Sequence, residues 1–192
     1  MARRILIIQG HPARQSFCEA LAREYERGAR ESGHSVRTLT VRELGFDPVL
    51  HEGYQEIQPL EADLVLAQDQ IKSADHLVFV YPTWWGGMPA LLKGFVERVF
   101  LPGFAFRYRQ GSPWWDKQLT GKSAHVITTM DTPPWYSRIF YRDAGINQIR
   151  RTILQYCGVG PVAVTRIGRV KDASDAWKQA WLSKARRFGN NA

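Results

Sequence analysis

The densest chemical signal in the chain is Pro82-Thr83-Trp84-Trp85-Gly86-Gly87-Met88. Two adjacent tryptophans in a loop expose large apolar area that something must cover. The two glycines let the backbone come close to a neighbour and take angles that other residues avoid. At the carboxyl end of a parallel strand, such a loop suits a flat aromatic ligand. The competing reading is that Trp84 and Trp85 plug a core or a subunit interface, since both places are rich in aromatics. A second group, Gly10-His11-Pro12-Ala13-Arg14-Gln15-Ser16-Phe17-Cys18, follows an apolar run. Ser16 and Glu19 have capping-box spacing, which starts a helix. Unpaired N–H groups at that start, the helix dipole, Ser16 and His11 favour a phosphate. The plainer account is that Ser16 only caps the helix and His11 sits in a solvated turn. A third group, Thr128-Thr129-Met130-Asp131, ends a further apolar run.

The elements that must position these groups alternate. Residues 3–9 are continuously apolar at Ile5-Leu6-Ile7-Ile8, the pattern of a parallel strand covered on both faces. A helix begins after Ser16, with Phe17, Ala20, Leu21, Tyr25 and Ala29 inward and Gly33 at its end, and 34–41 reads as a second strand. Residues 44–58 are broken by Gly45, Pro48 and Gly53 and read as a surface excursion. A helical stripe over 60–74 leads into a strand at 77–81. The next helix opens near Pro89 and carries Leu92, Phe95, Val96, Val99 and Phe100 on one face. Alternating aromatics with Gly and Pro after Phe100 suggest a hairpin or extended excursion, in which Trp114 and Trp115 read as packing residues. Residues 123–129 form another strand, and Ile146, Ile149, Ile153, Leu154 and Cys157 form a helix face. A last strand at 162–167 precedes a helix capped by Asp172 or Ser174, with Trp177, Ala180, Trp181, Ala185 and Phe188 inward. Strands alternating with helices imply an α/β fold: a doubly wound five-stranded parallel sheet of order 2-1-3-4-5 with helices on both faces. In such sheets ligands bind beyond the carboxyl ends of the strands at the switch point, where all three groups would meet.

At 192 residues, 44% hydrophobic and 23% charged, the chain is expected to form a single domain over 1–192. No apolar run is long enough to span a bilayer, and the apolar part of the N-terminus is too short for a signal peptide, so a cytoplasmic protein is expected. Cys18 and Cys157 are too few for a disulfide framework and lack metal-ligand spacing, and no metal site is expected. Cys18, near a helix start, reads as a small residue in a crowded turn. The net charge of +8 fits attraction to a phosphorylated dinucleotide or peripheral association with anionic lipid. The basic residues are scattered and no nucleic-acid motif accompanies them, so no nucleic-acid partner is expected.

The string from Val78 to Phe100, with Pro-x-x-Trp followed by Pro-Ala-x-Leu-Lys-Gly, resembles the flavin-contacting strand-loop-helix of the NAD(P)H:quinone oxidoreductases. These enzymes are the diaphorase-like branch of the flavodoxin-like superfamily. His-Pro-x-x-x-Ser-Phe at 11–17 is similar to their flavin phosphate turn, and Gly103-Phe104-Ala105-Phe106 to their Gly-Phe-Ala-Tyr segment. The resemblance runs from Arg3 to about Phe188. Two of its departures touch the flavin contacts: Cys18 stands where an Asn is common, and Met130-Asp131 replaces a Gly-Gly pair whose N–H groups bond the polar edge of the flavin ring in that family.

The resemblance implies a flavin-dependent NAD(P)H oxidoreductase that reduces quinones or similar small acceptors by two electrons in ping-pong order. His11, Ser16, Phe17 and Cys18 would hold the phosphate end. Pro82, Thr83, Trp84, Trp85, Gly86, Thr128, Thr129, Met130 and Asp131 would border the ring. Glu97 matches an acidic position near the adenosine of FAD-binding relatives, which favours FAD over FMN. Tyr136 falls where these enzymes place a tyrosine near flavin and substrate, and Arg142 stands in for a companion histidine. Either Tyr136 donates a proton or hydrogen bond, with Arg142 stabilising the resulting negative charge, or Trp135 and Tyr136 only wall the pocket. Relatives are dimers with the active site at the interface, so a homodimer is expected. The alternatives are a flavodoxin-type electron carrier, which the basic charge disfavours, and a regulatory subunit of a potassium-efflux transporter.

Overall fold

The computed structural model describes residues 2–192. The chain runs β1 (Arg4–Gln9), α1 (Phe17–Glu31), β2 (Ser35–Thr40), a 3-10 turn (Val41–Glu43), α2 (Ala62–Ser73), β3 (His76–Pro82) and α3 (Ala90–Val99). It continues through β4 (Phe106–Tyr108), β5 (Trp115–Lys117), β6 (Ser123–Thr129), α4 (Pro134–Ile139), α5 (Ala144–Asn147), a π-helix (Gln148–Gln155), β7 (Val162–Ile167) and α6 (Asp175–Asn190). The main sheet is parallel in the order β2-β1-β3-β6-β7, which is the expected 2-1-3-4-5 arrangement with the small β4–β5 ribbon standing outside it.

Alternation along the central strands explains the unbroken apolar runs Ile5–Ile8 and Leu77–Tyr81. Leu6, Ile8, Leu77, Phe79, Tyr81 and Val126 face a core made with α2 and α3, including Leu64, Ile71, Leu92 and Phe95. Ile5, Ile7, Val78, Val80 and Ile127 face the opposite core, made with α1 and α6 through Leu21, Tyr25, Ala29 and Ala185. Both faces of the central strands are covered, so β1 and β3 are buried at nearly every position, whereas the edge strands β2 and β7 are covered less fully and polar residues such as Arg37 and Thr38 on β2 stay exposed. Ser16 caps α1 by accepting from the Glu19 N–H at 3.2 Å, and Ser174, not Asp172, caps α6 by accepting from Trp177. Ala180 is exposed, so the inward stripe of α6 is narrower than its spacing suggests.

The excursion over 44–61 is pinned from beneath by Arg98 of α3, whose side chain is fully buried. It donates to the carbonyls of Asp47 (2.5 Å) and Pro59 (2.9 Å) and to Glu61 Oε2 (2.9 Å). Trp115 packs as expected, stacked on Tyr156 with ring centroids 4.2 Å apart, but Trp114 is exposed at the end of the ribbon. The segment expected to be one α-helix around 146–157 is α5 running into π-helix. Its buried residues Ile149 and Leu154 are five apart, the spacing an i→i+5 helix places on one side.

Candidate functional site

Two clefts meet at the carboxyl ends of β1, β3 and β6. The smaller, of about 350 Å³, is lined by His11, Ala13, Arg14, Ser16, Phe17, Cys18, Pro82, Thr83, Trp84, Thr129, Met130, Asp131 and Val170. The larger, of about 630 Å³, is lined by Thr83, Trp84, Trp85, Gly86, Met130, Asp131, Thr132, Ser137, Tyr141, Asp143, Ala144, Gly145 and Ile146. Thr83, Trp84, Met130 and Asp131 line both, so the clefts form one trough.

The smaller end is built for an anion. As the first two residues of α1, Phe17 and Cys18 carry N–H groups with no acceptor inside the helix. Glu19 takes the Gln15 N–H at 2.9 Å, and Arg14 lies at the rim. His11 Nδ1 accepts from the Ala13 N–H at 3.0 Å, which leaves Nε2 as the protonated nitrogen of the neutral ring. Burial holds the His11 pKa below its usual value, and the Arg42 charge acts in the same direction. The imidazole packs edge-on to Trp84 with centroids 5.5 Å apart. Cys18 is buried, its Sγ 3.2 Å from Thr129 Oγ1, and burial pushes its thiol up to about 12. It is therefore a neutral filler between α1 and β6 and not a nucleophile.

The larger end is built for something flat. Trp84 and Gly87 exchange both main-chain hydrogen bonds, at 2.9 and 3.0 Å, closing a tight reversal with Trp85 and Gly86 at its tip. Both tip residues are left-handed, at φ 50° and 76°, the combination of a type I′ turn. Trp85 is fully exposed, and Trp84 is 47% exposed. Beneath them Thr83 donates its N–H to the Thr129 carbonyl at 2.7 Å and shares a 2.7 Å hydroxyl contact with the buried Thr128. Thr128 therefore supports the trough without lining it. The Met130 N–H donates to the Ile167 carbonyl at 2.8 Å, so it is spent within the sheet and does not meet a ligand. Asp131 has its Oδ1 held by the Lys171 N–H at 2.9 Å, drawing that carboxylate towards the turn after β7.

The outer wall comes from α4, α5 and the reversal between them. Asp143 accepts from Arg166 through Nη2 at 2.6 Å and Nε at 3.2 Å, and from Ser137 Oγ at 3.3 Å. Gly145 lies so close to the turn opposite that a Cβ there would stand 2.0 Å from the Gly86 carbonyl oxygen. Among the described residues, five that are not glycine have left-handed backbone: Gln15, Trp85, Arg142, Asp143 and Arg169. Trp85 and Asp143 line the trough, and the other three adjoin lining residues in sequence. Each costs about 1–2 kcal/mol relative to ordinary helical or extended backbone, and such strain concentrates at functional sites.

Thirteen residues named from sequence, from His11 to Asp131, are thus gathered in or directly under the trough, and three are not. Tyr136 stacks on Phe140, centroids 4.5 Å apart, and neither it nor Arg142 lines either cleft. The tyrosine that does so is Tyr141. Glu97 also lies outside both clefts, paired with Lys93 on α3. Arg14, Thr132, Ser137, Tyr141, Asp143 and residues 144–146 at the start of α5 were missed; those from Tyr141 onward are placed by the reversal at 142–143, which no glycine marks. The donor set nevertheless fits a flavin, with an aromatic slot at one end and a helix start with arginine and histidine at the other.

Residues 3–188 match the flavodoxin-like fold family. An NAD(P)H oxidoreductase of Haemophilus influenzae, itself uncharacterized, is 30% identical over 94% of this chain and 91% of its own length. The NAD(P)H dehydrogenase [quinone] 1 of Cavia porcellus is 30% identical over 81% of this chain, which spans 65% of that longer protein. An FMN-dependent NADH:quinone oxidoreductase of Alcanivorax borkumensis is 27% identical over 69% of this chain and 77% of its own. Among solved structures, a Streptococcus mutans protein superposes with a TM-score of 0.84 at 33% identity, over 98% of this chain and 100% of the other.

Proposed function

We infer the function from the premise that the chain belongs to the flavodoxin-like fold family and, within it, to the NAD(P)H:quinone oxidoreductases. It is a flavin-dependent NAD(P)H oxidoreductase acting on quinones or similar two-electron acceptors. The observation that carries this reading is the continuity of the trough, which joins an anion-binding helix start to a flat aromatic slot across Thr83, Trp84, Met130 and Asp131. Bound flavin would supply the hydride chemistry, taking two electrons from NAD(P)H and passing them to the acceptor.

The chain's own residues bind, orient and exclude water. Phe17 and Cys18 N–H groups, Ser16, His11 and Arg14 would hold the phosphate. Trp84 and Trp85 would cover the ring on one side while Tyr141 and the start of α5, residues 144–146, close the other. Asp143 has both carboxylate oxygens paired with the Arg166 guanidinium and is turned to that partner, not to the slot. With the Met130 N–H committed to Ile167, the N–H groups of Trp85, Gly86, Asp131 and Thr132, which line the larger cleft and have no main-chain acceptor, would be the ones free to meet the ring's polar edge. The ring and first phosphate are common to FAD and FMN. FAD, the choice that follows from the resemblance at Glu97, predicts tighter binding of FAD than of FMN. The exposed Tyr54, Ile57, Tyr108 and Trp114 support a homodimer that covers them.

Fluorescence titration of the flavin-free protein with riboflavin, FMN and FAD tests the site. Phosphorylated flavins binding at least about tenfold tighter than riboflavin would support the anion end, a gap of roughly 1.4 kcal/mol. Equal affinities for all three would remove the phosphate assignment.

A further inference from the structure

The outer wall of the larger cleft is joined to the main sheet by one side-chain ion pair among the described residues. Arg166 stands on β7 in register with Thr128 of β6. Its guanidinium grips both oxygens of Asp143, at 2.6 and 3.2 Å, and the two side chains are only 22% and 12% exposed. A two-bond fork of this kind fixes direction as well as distance. The same aspartate donates its N–H to the Ser137 carbonyl at 2.9 Å and accepts the Asn147 N–H at 2.7 Å, while the Asn147 side chain donates to the Arg142 carbonyl at 2.7 Å. Asp143 is therefore the knot of a reversal in which it and Arg142 are both left-handed. Tyr141, two residues before the knot, lines the cleft. Gly145, two residues after it, lies against the Gly86 carbonyl of the opposite wall with no space for a side chain. A shift of the knot must move both walls.

We propose that Arg166 is a positioning residue which, through Asp143, holds the outer wall of the larger cleft against the Trp85–Gly86 turn and so favours flat acceptors over bulky ones. The acceptor half of this statement rests on the oxidoreductase reading; the wall half does not. The pair itself takes no part in chemistry, because each charge is already satisfied by the other. Lysine at 166 keeps the charge but loses the fork, so it restores the wall only in part.

The wall is tested without flavin, by hydrogen exchange at the Asp143, Ala144 and Asn147 amides. Arg166→Gln should speed exchange at all three by about tenfold while amides of β1 and β3 keep their protection, with Arg166→Lys intermediate. If Arg166→Gln does not fold, Asp143→Gly removes the pair and places glycine where the backbone is left-handed, and the same local loosening is expected. Unchanged protection at the three amides, or equal loosening throughout the chain, overturns the wall assignment. Specificity is then read on the flavin-loaded protein with an unsubstituted naphthoquinone and one bearing a bulky branched chain. Arg166→Gln should raise KM for the flat acceptor about tenfold with kcat changed less than about threefold. It should also raise the bulky-to-flat ratio of kcat/KM by about fivefold or more. A fall in kcat with KM and the ratio unchanged overturns the specificity role. A wild type that NAD(P)H cannot reduce sinks the oxidoreductase reading and the acceptor half with it, while the exchange result still decides the wall.

Discussion

Replacing Gly145 by alanine tests the trough by its tightest contact. The new Cβ would stand 2.0 Å from the Gly86 oxygen, 2.8 Å from the Gly87 Cα and 2.9 Å from the Gly86 carbonyl carbon, all of them backbone. No flexible side chain is available to give way. Ordinary contact begins near 3.4 Å, so the two walls must part by about 1.4 Å. Overpacking of this size costs about 1–3 kcal/mol. For a chain of this length each kcal/mol lowers Tm by about 2–4 °C, giving a fall of roughly 2–12 °C. The separation also misplaces the turn bearing Trp85, and a displacement near 1 Å in a reacting geometry costs about a hundredfold in rate. Gly87→Ala, in the same turn, is the control: its Cβ would meet nothing nearer than Gln148 Oε1 at 4.0 Å. Thermal unfolding and flavin titration of the two variants give the answer. Gly145→Ala should lose stability and flavin affinity, and Gly87→Ala should keep both. If Gly145→Ala behaves like Gly87→Ala, the two walls do not touch as described and the geometry of the larger cleft is refuted.

Other outcomes follow from groups away from the trough. His76 and His125 are buried and neutral, their pKa values pushed down to about 4 by burial from 6.5. The unfolded chain therefore binds more protons between pH 6.5 and 4, and stability falls as pH falls through that window. Each should cost about 2 kcal/mol between pH 7.5 and 5, seen as a Tm that drops with acid and drops less in His125→Gln. Both cysteines are buried with thiols pushed up to about 12, so neither should react with iodoacetamide at pH 8 until the protein unfolds. Arg98→Ala strips the Asp47 and Pro59 carbonyls of their donor and leaves Glu61 without its partner. It should destabilise by about 3 kcal/mol in urea unfolding and expose 44–61 to protease.

The five strands and their order were legible because a two-faced parallel sheet requires nearly unbroken apolar runs, and Ile5 to Ile8 and Leu77 to Tyr81 supply them. The phosphate end was legible because capping is local: Ser16 meets Glu19 three residues on. The outer wall was not. Spacing from Thr128 pointed to Tyr136 and Arg142, but two successive left-handed residues turn the chain so that Tyr141 faces the cleft instead. Neither is glycine, and the strain is held by Arg166, distant in sequence, so no local signal announces it. The Met130 N–H shows the same limit: whether a donor is free depends on β7, which joins the sheet from 32 or more residues away.

The central claim is tested most directly by the visible spectrum of the flavin-reconstituted protein under anaerobic NAD(P)H. The account predicts a bound-flavin spectrum that bleaches within the mixing time and recovers on addition of a quinone. Flavin that binds but does not bleach would contradict the oxidoreductase function and favour a carrier or regulatory role. Folded protein that binds no flavin would contradict the assignment of the trough itself.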